Sequence, residues 1–203
     1  NYASLRPASP IGKRYFFFDE FINLNDVTVG VAAIELLARL GYDVMMVDHP
    51  ESGRAAISKG MLPMAQKFAK QQVEIFEPLL SEETPLVGVE PSTILGFRDE
   101  YPRLVAPEKA EAAKALGKHT MIIEEFLQRE IDAGNINPDQ FDAEERAIKV
   151  HGHCHQKSIS SVQPTMEVLN LPAGHKVELI PSGCCGMAGS FGYERSIMTC
   201  RWK

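Results

Sequence analysis

The alternation of strand-like and helix-like segments is the feature that most constrains how this chain can fold. The aromatic run RYFFF, at residues 14–18, is typical of a buried strand. Apolar residues from 27 to 37 then recur at helical spacing, and Gly41 stands where a helix commonly ends. The run DVMMVD, at residues 43–48, predicts a second strand. A strand–helix–strand unit of this kind implies two parallel strands joined by a right-handed crossover.

The first half of the chain continues this plan. The sequence predicts one long helical region, a third strand and two further helices, at residues 54–80, 85–90, 107–116 and 119–133. We expect the long helical region to bend near Gly60 and Pro63. The turn-rich stretch GNINPDQFD, at residues 134–142, is the predicted boundary between two units.

The second half repeats the arrangement, with a strand at 146–152, a helical segment at 160–171 and a strand at 175–180. The predicted fold class is therefore α/β, with two tandem related units, each a small parallel sheet flanked by helices, the second unit truncated. We assign residues 1–138 to a first module and residues 139–203 to an incomplete second module.

Composition and charge limit the functions that this protein can have. The formal net charge of -6 disfavours nonspecific nucleic-acid binding, which requires a basic surface to neutralise phosphates. The sequence shows no apolar run long enough to span a bilayer and no signal peptide, so we expect a cytoplasmic protein, either soluble or peripheral to the inner face of the membrane. Four cysteines are too few for a disulfide scaffold, and clustered cysteines in a cytosolic chain more often bind metal or carry out redox chemistry.

Three of those cysteines follow predicted strands. Cys154 lies in HGHCHQK, and the adjacent Cys184 and Cys185 lie in SGCCGMAGSFGYE. Because the carboxyl ends of parallel strands meet at one edge of a sheet, we expect the three thiols to converge there. The histidines that flank the first cysteine are His151, His153 and His155.

Several kinds of site fit this pattern. The cysteines could be small buried residues, but three of the four stand at strand ends beside glycines or histidines. A disulfide between neighbours would be a strained ring, and it leaves Cys154 unexplained. Structural zinc is a stronger rival, although its ligands are typically two to four residues apart. An iron–sulfur cluster suits adjacent thiolates better, since they can reach different irons.

The glycines after the cysteine pair fit the same interpretation. Gly186 and Gly189 lack a Cβ, so their backbone can approach an inorganic sulfide and offer N–H groups to it. Neither the dinucleotide fingerprint nor the Walker lysine accompanies the run, so we reject a phosphate-binding loop.

The two motifs HGHCHQK and SGCCGMAGSFGYE resemble the second cysteine-rich module of a family of redox proteins. That family includes the B subunit of heterodisulfide reductase, the iron–sulfur subunit of glycolate oxidase and the C subunit of anaerobic glycerol-3-phosphate dehydrogenase. The chain looks most like the carboxyl-terminal region of fused FAD-linked oxidases of the D-lactate or glycolate dehydrogenase type. The resemblance extends from Arg14 to about Glu194.

The resemblance implies a 4Fe-4S cluster, in some members of a noncubane type, held here by Cys154, Cys184 and Cys185. His151, His153 and His155 would hydrogen-bond to those ligands or replace one. FAD would reside in a separate domain or a flavoprotein partner, and electrons would pass from it to a quinone or another acceptor through other subunits. The chain lacks an evident nucleophile–base pair, so we assign no catalytic residue and do not expect the isolated fragment to turn over substrate.

The first module departs from the family pattern. Glu20 and Glu51 are 31 residues apart and Cys154 and Cys184 are 30 apart, so the two halves repeat one spacing. In the first copy the expected ligands are replaced by Glu20, Glu51, Ser52 and Thr93. These oxygen-bearing groups are poor ligands for an iron–sulfur cluster, so we predict that the first module binds none.

Two interpretations of the altered first site remain. Its carboxylates form an ion-paired or solvated loop edge with Arg54 and Arg98, or they bind a small ligand or hard cation. Glu90 and Arg98 are further candidates in EPSTILGFRDEYP. We favour the solvated or salt-bridged loop edge.

The second module is also incomplete. The step of 42 residues from Glu51 to Thr93 would place its last cysteine motif beyond Lys203, and we interpret Cys200 as a bystander. The predicted function is an iron–sulfur electron-transfer fragment of a flavin-linked 2-hydroxy acid dehydrogenase. The alternative is a noncatalytic docking module for a flavoprotein, either apo or stapled by zinc.

Overall fold

The computed structural model of the chain describes residues 5–184. The predicted ligands and backbone donors Cys185, Gly186 and Gly189 lie outside the described residues, as does Cys200. Within residues 5–184 no helix has both the length and the apolar character needed to cross a bilayer.

Nineteen short elements alternate along these residues. The strands are β1 (Gly12–Phe16), β2 (Tyr42–Met46), β3 (Leu86–Gly88), β4 (Thr120–Ile122), β5 (Arg146–Val150) and β6 (His175–Leu179). The helices of the first half are α1 (Glu20–Leu24), α2 (Val27–Arg39), α3 (Arg54–Ser58), α4 (Leu62–Phe76), α5 (Pro91–Ile94), α6 (Tyr101–Leu104), α7 (Ala110–Gly117) and α8 (Ile123–Asp132). The second half has α9 (Cys154–Ile159) and α10 (Gln163–Asn170), and 3-10 turns occupy Leu95–Phe97, Pro107–Lys109 and Pro138–Gln140.

The strands form two parallel sheets, which confirms the predicted α/β class. The first sheet has the order β2-β1-β3-β4, and the second consists of β5 and β6. The predicted pairing of the first two strands is confirmed, with Gly12 opposite Tyr42 and Phe16 opposite Met46 in parallel register. In the first sheet the chain adds β2 on one side of β1 and β3 on the other. The carboxyl ends of β1 and β3 therefore flank a topological switch point, where α/β proteins commonly bind ligands.

Helices cover the first sheet on both faces. One buried cluster includes Phe17, Phe76 and Phe97, and the other includes Phe16, Leu37 and Phe126. Consecutive residues of a strand point to opposite faces, so the two neighbouring phenylalanines at 16 and 17 enter different clusters. In the second half α10 contacts both β6 and α8, so this helix connects the small sheet to the first half.

Two local expectations required correction. The predicted helix at 119–133 is wrong at its start, because Thr120–Ile122 forms β4 and pairs in parallel with β3 before α8 begins. The long helical region at 54–80 is divided into α3 and α4 rather than bent. Gly60 lies between them with a φ of 70°, a left-handed conformation that ends α3 and that glycine adopts without steric cost.

Candidate functional site

The two described cysteines of the second half lie at the same edge of the second sheet. Cys154 is the first residue of α9, which follows β5, and Cys184 follows β6. The parallel register sets Val150 opposite Leu179, so both strands end at one edge. Both cysteines are exposed. The structure therefore places these two thiols beyond the ends of neighbouring strands, as predicted.

A lysine connects the two cysteine-bearing segments. The Nζ of Lys157, in α9, donates to the backbone carbonyl of Gly183 at 2.9 Å and to that of Ser182 at 3.2 Å. Lys157 is three residues after Cys154, and Gly183 directly precedes Cys184. The contact thus holds the segment after β6 against the helix that begins at Cys154.

Two of the flanking histidines, His151 and His153, occupy different environments. His151 is exposed. His153 is the N-cap of α9, where its Nδ1 accepts from the backbone N–H of His155 at 3.2 Å. Burial lowers the pKa of His153, and the nearby carboxylate of Glu90 opposes that effect. His153 therefore helps to start the helix that presents Cys154.

The outer ring nitrogens of two of these histidines lie near carboxylates of the first half. His153 Nε2 is 3.6 Å from Glu90 Oε1, and His155 Nε2 is 3.9 Å from Glu100 Oε2. Both distances exceed a normal hydrogen bond but are within the range of an ion pair. From the sequence motif, these imidazoles are expected only near the cysteines. The motif does not indicate that they also contact the first half of the chain.

The altered first site is filled by its own hydrogen bonds. The carboxylate of Glu20, at the start of α1, accepts from the backbone N–H of Ser52 at 2.9 Å and from its hydroxyl at 2.8 Å. The Ser52 Oγ in turn accepts from the N–H of Arg54 at 3.0 Å. Thr93 is buried, and its hydroxyl donates to the carbonyl of Glu90 at 2.9 Å. Glu51 differs from these residues because its side chain is exposed.

Arg54 and Arg98 are each paired with a glutamate that was not a candidate for the first site. Arg54 Nη1 lies 2.6 Å from Glu100 Oε1. Arg98 forms two bonds to the Glu125 carboxylate, at 2.8 and 2.6 Å, and also donates to the carbonyl of Thr120. The two arginines are therefore ion-paired, but not with Glu20 or Glu51, the carboxylates of the altered first site. Their partners, Glu100 and Glu125, were not among the residues predicted from the sequence.

A buried aspartate beside the first site was also missed. Asp19 directly follows the aromatic run at residues 14–18, and its Oδ1 accepts from the backbone N–H groups of Phe21 and Ile22 as the N-cap of α1. Its other oxygen, Oδ2, is buried and has no hydrogen-bond partner in the described part of the chain. Burial raises the pKa of Asp19 to about 6, despite the two backbone hydrogen bonds. The pair DE immediately after a strand was the available signal.

The donor chemistry of the two sites differs. Within residues 5–184 no group of three or more histidine, cysteine, aspartate or glutamate side chains is arranged to hold a metal ion. The first site offers oxygen atoms that are already hydrogen-bonded to one another, which does not fit an iron–sulfur cluster. The second edge offers exposed thiols at two neighbouring strand ends, a donor type and position that fit one.

Comparison with known proteins gives two kinds of relative. The chain is 25% identical over 177 residues to the D-2-hydroxyglutarate dehydrogenase of Escherichia coli K12, covering 87% of this chain and 16% of that protein. It is 27% identical over 184 residues to the C subunit of anaerobic glycerol-3-phosphate dehydrogenase from the same strain, covering 89% of this chain and 44% of that relative. The D-2-hydroxyglutarate dehydrogenase of Haemophilus influenzae is 25% identical over 182 residues, covering 87% of this chain and 17% of that enzyme.

No protein-family model matches the chain, and no solved structure matches it. The chain spans less than half the length of each of these three relatives. The two types of relative nevertheless agree with the family indicated by the cysteine motifs. The resemblance is therefore confirmed, and the chain is a homologue of D-2-hydroxyglutarate dehydrogenase and of the C subunit of anaerobic glycerol-3-phosphate dehydrogenase.

Proposed function

We propose that this chain is part of an iron–sulfur electron-transfer module of a flavin-linked 2-hydroxy acid dehydrogenase. The observation that carries the proposal is the position of Cys154 and Cys184 at the ends of adjacent parallel strands, with Lys157 holding the two segments together. Cys185 is the third proposed ligand because it adjoins Cys184 in sequence. When bound, the cluster supplies one-electron transfer between a reduced flavin and an acceptor.

Each residue of the second edge has a defined part in this proposal. The thiolates of Cys154 and Cys184 bind iron in the proposal, and both residues are exposed. Lys157 orients the backbone that leads into Cys184 and places a positive charge beside an anionic group. In the proposal the backbone N–H groups of Gly186 and Gly189 donate to sulfide. His151, which is exposed, is a candidate to hydrogen-bond to a ligand or to replace one.

The first module, residues 1–138, has a supporting role in this proposal and holds no cluster. Glu20, Ser52 and Thr93 stand where the family resemblance implies ligands, and their oxygen atoms already bond to groups of this chain. The second module, residues 139–203, carries the redox site. The two modules thus share a scaffold but differ in chemistry.

A flavoprotein domain or subunit is the proposed electron donor. The relatives are named as D-2-hydroxyglutarate dehydrogenase and as one subunit of a glycerol-3-phosphate dehydrogenase, so in both cases the similar region belongs to a larger enzyme. We propose FAD in that partner, a 2-hydroxy acid as its substrate, and a quinone or another acceptor reached through other subunits. The proposed location is cytoplasmic, at the inner face of the membrane where a quinone is the acceptor.

The test is anaerobic purification or reconstitution of the chain with iron and sulfide. We expect a brown protein with visible absorbance and with bound iron and acid-labile sulfide. Cys154→Ala, Cys184→Ala and Cys185→Ala should each lose most of the bound iron, whereas Cys200→Ser and Glu51→Gln should retain it. A colourless protein that binds only zinc, even after its flavoprotein neighbour is restored, would refute the proposal and favour a docking module.

A further inference from the structure

The helix that begins at Cys154 lies against three carboxylates of the first half. At its amino end His153 lies 3.6 Å from Glu90, and His155 lies 3.9 Å from Glu100. At its carboxyl end Ser160, the C-cap of α9, donates its hydroxyl to Glu125 Oε1. We call Glu90, Glu100 and Glu125 the glutamate platform.

Each platform carboxylate is itself fixed by other groups. Glu90 accepts from the N–H and the hydroxyl of Ser92, at 3.0 and 2.6 Å. Glu100 pairs with Arg54. Glu125 is paired with Arg98 and accepts from the backbone N–H of Ile122 at 3.1 Å. A carboxylate held in this way has lost its rotamer freedom before it meets α9, so its contact with the helix costs little further entropy.

The platform is partly shielded from solvent. The Glu100 and Glu125 side chains are 19% and 16% exposed, and the His155 side chain is 19% exposed. Glu100 Oε2 and His155 Nε2 are both buried atoms without a hydrogen-bond partner in the described residues. These two atoms face each other at 3.9 Å. Screening by water is weaker here than at an open surface.

We propose that the glutamate platform positions Cys154 and sets the charge around it. Glu90, Glu100 and Glu125 are positioning residues, acting on the thiol through His153, His155 and Ser160. The first module, which holds no cluster in the proposed function, thereby supports the helix that bears a ligand in the second module. This inference rests on the proposed function for its redox part and on the contacts alone for its positional part.

The positional part is tested in the 203-residue chain without any cluster. A nitroxide is attached to Cys154 after Cys184, Cys185 and Cys200 are changed to serine, and its mobility is read from the electron paramagnetic resonance line shape. Ser160→Ala removes the hydroxyl that reaches Glu125 while leaving the Arg98–Glu125 pair in place. We expect Ser160→Ala, Glu90→Gln and Glu100→Gln to shift the label to a shorter rotational correlation time. Glu51→Gln, at an exposed carboxylate, is the matched control and should leave it unchanged.

The redox part is tested in the reconstituted chain with its native cysteines. Removing a negative charge near the cluster favours its reduced form, so Glu90→Gln and Glu100→Gln should shift the reduction potential upward while Glu51→Gln does not. Far-ultraviolet circular dichroism establishes that each variant is folded. Unchanged label mobility in Ser160→Ala, or an unchanged potential in Glu100→Gln, overturns the inference. Failure of the wild type to take up iron even after its flavoprotein neighbour is restored refutes the proposed function, and label mobility then decides the positional part alone.

Discussion

Glu20 and Ser52 are joined by two hydrogen bonds, from the serine N–H at 2.9 Å and from its hydroxyl at 2.8 Å. They follow β1 and β2, which are neighbouring parallel strands, as Cys154 and Cys184 follow β5 and β6. In the first half Glu20, the counterpart of Cys154, is thus hydrogen-bonded by the chain itself, whereas Glu51, the counterpart of Cys184, is exposed.

Ser52→Ala should reduce stability. Ser52 is 2% exposed, and its hydroxyl both donates to Glu20 and accepts from the Arg54 N–H. The variant leaves a partly buried carboxylate and a backbone N–H each short of one partner, which costs about 1–3 kcal/mol of unfolding free energy. Urea unfolding followed by circular dichroism measures this loss. Glu51→Ala, one residue away at an exposed position, should change stability by no more than about 0.5 kcal/mol.

Because of Asp19, the free energy of unfolding should fall as the pH rises. The ordinary pKa of this residue, 3.8, is raised by burial to about 6 in the folded chain. Between those two values the folded chain holds a proton that the unfolded chain has released, so unfolding free energy declines as pH rises through this window. The wild type should lose on the order of 1–3 kcal/mol there because of this group.

Two variants isolate the contribution of Asp19. Asn and Ser both retain an N-cap side chain for α1 but carry no titrating proton, so Asp19→Asn and Asp19→Ser should show a smaller decline over the same pH window. Urea unfolding at several pH values from about 4 to 6.5 gives the slopes. Slopes equal to that of the wild type in both variants would contradict the assignment.

Glu130→Ala should be among the most damaging single changes. Glu130 is 4% exposed, accepts from the Tyr42 hydroxyl at 2.7 Å and lies 3.5 Å from the buried guanidinium of Arg14. Its loss leaves Arg14 buried without its carboxylate, at a cost of about 3–5 kcal/mol. Arg129→Ala removes the more exposed partner of the same carboxylate and should cost about 1 kcal/mol or less. Thermal and urea unfolding compare the two, and equal losses would show that burial is not the cause.

The sequence predicted the fold where the signal was local. The apolar period of β1, α2 and β2 is contained within about forty residues, and Gly41 and Gly60 both have the positive φ that their helix-ending positions require. Thr120–Ile122 was missed because this short strand runs directly into α8 at Ile123, so the sequence shows no break between them. Its identity depends on pairing with Leu86–Gly88, which lies more than thirty residues earlier.

The candidate site was predictable in part for the same reason. Placement of Cys154 and Cys184 at one sheet edge follows from parallel pairing, which the sequence pattern indicates. The contacts of His153 with Glu90 and of His155 with Glu100 join segments more than fifty residues apart, so no spacing in the sequence reveals them. Neither did the sequence show that Ser52, rather than Glu51, is the partner of Glu20.

Lys157→Met should loosen the segment that leads into Cys184. The variant keeps the length and apolar stem of the side chain but removes both donors to the carbonyls of Ser182 and Gly183. Exposed hydrogen bonds of this kind are worth about 0.5–1 kcal/mol, so amide hydrogen exchange of residues 182–184 should quicken about two- to fivefold. Lys157→Arg retains donors and should largely restore protection, and Lys176→Met, at an exposed lysine of β6, should have no effect. Exchange at the wild-type rate in Lys157→Met would show that this lysine does not hold the two cysteine segments together.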